Sequence, residues 1–160
     1  MAQQKVHRYR VGVQWQGNRG SGTSGYQDYG REYRMTVVGK PAIAGSADPA
    51  FLGNRDRWNP EELLVGSLSA CHKLWYLHLC AEAGVVVLAY DDHAEGEMDA
   101  ALGRFTRVTL CPHITLNADS SEQRARELHE KAHEKCFIAA SVNFKIECQP
   151  VFVREDAYHG

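Results

Sequence analysis

The chain has 160 residues, 44% of them apolar and 24% charged, with a formal net charge of −2. That length suits one domain, and that composition suits a packed core rather than a disordered chain. A charge so near neutrality gives no electrostatic footing for nucleic acid or an anionic membrane as partner. No apolar run approaches the roughly 18 residues of a membrane span, and the opening MAQQKVHRYR has no apolar stretch of the signal-peptide kind, so a cytoplasmic address is expected.

Residues 6–15 alternate, with Tyr9, Val11, Val13 and Trp15 on one face, which predicts a half-buried strand. GNRGSGTSG at 17–25 is a glycine- and serine-rich loop. Tyr33, Met35 and Val37 predict a second strand. Residues 39–58 have no clear period and read as a long loop, a length often tied to function in a compact domain. Asn59-Pro60-Glu61-Glu62 predicts a helix start: Asn caps, Pro fits the first turn, and the two acids face the positive end of the dipole. The helix is expected to run to about Ala83, with Gly84 as its stop. Its middle, LLVGSLSACHKLWYLHLCA, is apolar almost all round. Such a helix is buried on most sides, which a chain this short accomplishes only if a second subunit covers part of it.

Val85 to Met98 reads as a strand, Asp99 to Gly103 as a turn, and Phe105 to Leu116 as another strand in which Pro112 implies an edge or a bulge. Ser120 or Ser121 caps a polar helix to about Lys135, and Asn143 to Val153 forms the last strand. The order β-β-α-β-β-α-β predicts a single α+β domain over residues 1–160 with mainly antiparallel pairing.

Five cysteines, at 71, 80, 111, 136 and 148, make a poor disulfide framework, being odd in number and unevenly spaced. They read as free core residues or reactive thiols. Cys71 lies mid-helix on a stripe with Leu64, Leu68, Trp75 and His78. By pattern alone it is a small core residue, and a thiolate there needs a nearby cation. Cys136 ends the second helix after Lys131 and Lys135. That placement suits either a C-terminal turn whose basic residues match the dipole or a thiol in an electropositive setting. Cys80, Cys111 and Cys148 read as packing. His129, His133 and Cys136 share a helical face, and Cys71-His72 adds two soft ligands, so zinc comes into consideration. Adjacent helix side chains diverge, however, and His129 and His133 read as a solvated face. No metal and no cofactor are expected.

NPEELLVGSLSACHKLWYLHLCAEAG resembles the first-cysteine helix of the OsmC/Ohr peroxidase family, and HEKCFIAASVNF resembles its second-cysteine segment. The 64 residues between Cys71 and Cys136 suit that family, and W-x-G-N-R-G-x-G-T with Y-x-x-Y-G-R is similar to the N-terminal strands of an OsmC-like subgroup. The resemblance implies an intertwined homodimer with antiparallel sheets wrapped around central helices. It implies that Cys71 attacks a hydroperoxide, that Cys136 resolves the sulfenic acid to a disulfide, and that Glu61 pairs with an arginine facing the thiol. It also implies an external dithiol reductant, lipoylated or thioredoxin-like. Cys136 is followed by Phe137 where the family often has proline, and Leu52 stands where the subgroup often has arginine. Arg55 and Arg57 are then the nearest candidates for the arginine, with Arg19 and Arg31 behind them. Ten residues of helix put Glu61 about 15 Å from Cys71, so a long arginine has to bridge. Leu74, Trp75, Phe137 and Ile138 are candidates for an apolar entrance favouring organic hydroperoxides over hydrogen peroxide. The alternative expectation is a stress-associated binding protein that keeps this fold without efficient turnover.

Overall fold

The computed structural model describes residues 5–155. The chain divides into two compact units, one up to Leu63 and one from Leu64 onward. In the first, β1 (Gly12–Trp15), β2 (Tyr33–Thr36) and β3 (Ile43–Gly45) form an antiparallel sheet in that order. The strand expected over 6–15 is shorter, and Val13 and Trp15 are exposed rather than half-buried. The reason is pairing: among the described residues β1 has only β2 beside it, so its outer edge is unpaired. The region read as a loop at 39–58 contains β3 and a short 3₁₀ turn at Pro49–Phe51. The apolar residues there follow no regular spacing.

Asn59 caps helix α1 (Pro60–Ala83) through a reciprocal pair of bonds. The Glu62 amide donates to Asn59 Oδ1 at 2.8 Å, and the Asn59 amide donates to Glu62 Oε1 at 3.0 Å. At the far end Gly84 takes φ 74°, and the Val85 amide reaches back to the Cys80 carbonyl at 2.9 Å, which closes the helix.

The second unit carries two mixed sheets. β4 (Val87–Asp92), β7 (Pro112–Leu116) and β9 (Val151–Arg154) form one, in the order β4-β7-β9. β5 (Glu95–Asp99), β6 (Arg104–Leu110) and β8 (Lys145–Cys148) form the other, in the order β5-β6-β8. Each of the three strands expected here is therefore cut in two, at 93–94, at Cys111 and at 149–150. The sequence hides these breaks because alternation runs straight through them. Val108, Leu110, Pro112, Ile114 and Leu116 are all buried on one face, two residues apart.

The expected antiparallel character holds for β4 with β7 and β5 with β6, whereas β8 and β9 add in parallel to β6 and β7. Helix α2 (Glu122–Lys135) lies between them in sequence, so the chain returns to the starting end and re-enters in the same direction. Pro112 is not at an edge. It is the first residue of the central strand β7, where the missing N–H interrupts no ladder.

Asp92 holds the break. Its Oδ1 accepts the Cys111 amide at 2.7 Å and its Oδ2 accepts the Ser69 hydroxyl of α1 at 2.5 Å. The Gln149 amide completes the line by donating to the Leu110 carbonyl at 2.8 Å. One carboxylate thus satisfies the amide that the broken strand leaves over and ties the bend to the helix. Asp92→Ala strips both donors of their partner and should cost at least about 1.5–3 kcal/mol, the range for one hydrogen bond to a charged group. A lower urea midpoint with an unchanged slope is the expected reading, and an unchanged midpoint contradicts it.

Candidate functional site

Helix α1 buries a stripe of Leu68, His72, Tyr76, Leu79 and Cys80. Cys71 stands one position off this stripe and is half-buried. Cys136 arrives from the other side. It caps α2 in an extended conformation, and its side chain is 1% exposed. Cys71 stands near enough to Cys136 to act on its titration. Burial, and then the neighbouring Cys71 thiol, push the Cys136 thiol from its ordinary 9.0 up to about 11. The Ala139 amide, 3.4 Å from Cys136 Sγ, pulls the other way without winning. Cys136 therefore keeps its proton at physiological pH.

An aromatic group flanks the thiols. Trp75, one turn beyond Cys71, meets Phe137 edge to face at 5.6 Å, and Lys135 Nζ sits 5.7 Å from the Trp75 ring centre. Phe137, in place of the family's frequent proline, is 70% exposed. Leu74, Trp75 and His78 line a shallow hollow of about 230 Å³. Ile138 packs inward with Leu68, Val108 and Leu110, so it belongs to the core rather than to an entrance.

The remaining sequence candidates lie in the first unit. Glu61 Oε2 is buried without a hydrogen-bond partner, and Tyr33 Oη is in the same condition. Burial, then the charge of Glu61, raise the Tyr33 phenol above its ordinary value. Among the described residues no ion pair joins Glu61 to an arginine. Arg57 donates instead to Gln16 Oε1 at 3.2 Å and to the Tyr33 carbonyl at 3.1 Å. Arg55 is exposed and shares a small hollow with Arg57 and Glu62. Arg31 stacks on Tyr29 at 3.9 Å and donates to the carbonyls of Tyr29 and Tyr26, while Arg19 donates to the Gln27 carbonyl. Leu52 occupies left-handed backbone at φ 63°, which costs a side chain with a Cβ about 1–2 kcal/mol.

A second cluster escaped the sequence reading. His129, read as part of a solvated face, is turned inward at 5% exposure, whereas His133 is exposed as expected. His129 Nδ1 lies 2.9 Å from His72 Nε2, and Cys148 Sγ lies 3.6 and 3.8 Å from those same two nitrogens. Burial pushes His72 down to about 4, with Asp92 opposing and His133 adding to the fall. Burial, then His72 and Arg126, push His129 down to about 3. Both rings are neutral at physiological pH. The signal available in the sequence was spacing: His129 lies three and four residues from Ala132 and Ala125 on the buried stripe of α2, and four from His133 on its open side.

The sign of the Cys136 shift makes a prediction. The folded state holds the neutral thiol, so its contribution to stability is full below 9.0 and declines as pH rises from there toward about 11. Iodoacetamide at pH 8 should modify Cys136 far more slowly in native protein than in urea, with the native rate climbing up to about pH 11. A native rate that is flat with pH contradicts the assignment.

The sequence profile of the family described as OsmC-like protein matches residues 53–150. An OsmC-like protein of unknown function from Vibrio cholerae O1 is similar in structure, with a TM-score of 0.82 and 28% identity, over 91% of this chain and 100% of that one. An organic hydroperoxide resistance protein OsmC from Legionella pneumophila superposes with a TM-score of 0.67 at 16% identity, over 92% and 98% of the two chains. The organic hydroperoxide resistance protein OhrB of Bacillus subtilis does so with a TM-score of 0.58 at 17% identity, over the same shares. The uncharacterized protein YmaD of Bacillus subtilis is 23% identical over 148 residues, 89% of this chain and 91% of its own.

Proposed function

The chain belongs to the OsmC-like family, and on that premise we propose that it is a thiol peroxidase reducing organic hydroperoxides, with hydrogen peroxide as a second substrate, through Cys71 and Cys136. The observation that carries this reading is the nearness of Cys71 to Cys136, residues far apart in the chain. Cys136 keeps its proton beside Cys71 and is placed to act as the resolving thiol. The Cys71 thiolate attacks the distal peroxide oxygen, the O–O bond breaks, and the alcohol leaves after taking a proton, giving Cys71 sulfenic acid. Cys136 then condenses with it: an S–S bond forms, the S–O bond breaks, and water leaves. An external dithiol returns both thiols by exchange, itself becoming a disulfide.

The hollow beside Leu74, Trp75 and His78 supports an apolar substituent on the peroxide. Glu61, with Arg55 or Arg57, is the pair proposed to supply positive charge that would stabilise the developing oxygen anion. A second copy of the chain is the proposed cover for the open face of α1, where Leu74 is 64% exposed and a Cβ at Gly66 would meet nothing within 4 Å. Among the described residues no helix is long and apolar enough to cross a membrane.

Steady-state reduction of cumene hydroperoxide with dihydrolipoamide tests the reading. Cys71→Ser should lose at least about a hundredfold in kcat/KM, a loss of roughly 2.7 kcal/mol in transition-state stabilisation. Cys136→Ser should still consume one equivalent of peroxide and accumulate a dimedone-reactive sulfenic acid at Cys71. Turnover by Cys71→Ser equal to wild type rejects the proposal.

The second reading, a binding protein of this fold without efficient turnover, is favoured by Phe137 beside Cys136 and by Leu52. Mass spectrometry without reductant after one equivalent of peroxide separates the two, because a binder forms no Cys71–Cys136 bridge. Light scattering tests the assembly: a dimer is expected, with Leu74→Glu shifting it to monomer.

A further inference from the structure

We propose that His72, His129 and Cys148 form a zinc-binding site, with donors from α1, α2 and β8 and a fourth position open to the adjoining cavity. The three donor atoms lie within 4.8 Å of one another. Zinc bound at about 2.0–2.1 Å to nitrogen and about 2.3 Å to sulfur sets tetrahedral edges near 3.6 Å between N and S and near 3.3 Å between two N. The two sulfur edges here are 3.6 and 3.8 Å, and the nitrogen edge is 2.9 Å. The nitrogen edge is the shorter because the two rings hydrogen bond each other across the gap that an ion would widen by a few tenths of an ångström.

Two further observations favour a ligand over a purely structural histidine pair. The rings are held in place beforehand: His72 and His129 lie 2° from parallel, Tyr76 stacks on His129 at 3.8 Å, and the Tyr76 hydroxyl is anchored on the Ala125 carbonyl at 2.8 Å. The cluster also has a way in. His72, His129 and Cys148 line a cavity of about 560 Å³, together with His133, Glu134 and Glu147. Two imidazoles and one thiol are a soft donor set suited to zinc rather than to magnesium or calcium. Binding exchanges the Cys148 S–H bond for a Zn–S bond and releases the proton through the cavity. The ion would link both helices to the second sheet and is separate from the redox reaction of Cys71.

The test uses the full chain, stripped of metal and titrated with zinc, then with cobalt as a spectroscopic probe. One equivalent per chain is expected at micromolar zinc, along with a thiolate-to-cobalt charge-transfer band. Cys148→Ser should abolish the band and weaken zinc at least about tenfold. In wild-type protein, zinc should protect Cys148 from alkylation, and X-ray absorption should show one sulfur and at least two imidazoles, so the proposal survives testing even if the variant folds poorly. No stoichiometric binding, or absorption with nitrogen and oxygen neighbours alone, overturns it. So does a band that persists in Cys148→Ser and vanishes in Cys71→Ser, since that places the ion on the redox thiols.

Discussion

A β-strand that passes from one sheet into another leaves an amide without its ladder partner, and that amide needs an acceptor close by. In the unit from Leu64 onward, the Asp92 carboxylate takes this role for Cys111 while its second oxygen holds Ser69 of α1. The arrangement couples the position of the helix to the position of the bend. Ser69 lies two residues before Cys71 and three before His72, so the same carboxylate locates both chemical groups along the helix axis.

The bend also divides the interior. On one side Tyr76, Ile114, Leu116, Leu128 and Ala132 pack together, and on the other Leu68, Val108 and Leu110 do. His72 stands between Leu68 and Tyr76 on the buried stripe of α1, at the boundary of the two apolar groups. Its partners come from the last residue of β8 and the middle of α2. Polar side chains thus gather where the sheets part, and each apolar cluster stays dry. Asp92 faces this seam too: its charge is felt by His72, Tyr90 and Cys148. The thiol pair occupies different ground, at the capped end of α2, where Cys136 is buried but Phe137 reaches solvent.

Local signals were legible and long-range ones were not. Asn59, Gly84 and Ser121 terminate helices because each satisfies backbone groups within a few residues, and such chemistry is written in the sequence around it. The strand breaks left no mark because the inward face of β6 and β7 keeps its two-residue period through Cys111. The parallel placement of β8 and β9 depends on how α2 returns the chain, which periodicity does not encode. His129 was misplaced for a related reason. α2 is polar overall, and its narrow buried stripe of Ala125, Leu128 and Ala132 is too weak to show which way a histidine on it turns. The neighbourhood of Cys71 and Cys136 came from a family resemblance, because nothing in the residues between them brings two distant sulfurs together.

The parallel pairing of the last two strands also bears on synthesis. β6 and β7 are central strands, yet one side of each is covered only by residues 145–154. During translation the hairpin halves emerge and pair first, so the nascent chain carries a bare sheet edge until α2 and the segment after it leave the ribosome. That edge is rich in Val, Leu and Ile, and it is the part of the molecule on which a ribosome-associated holdase has reason to act.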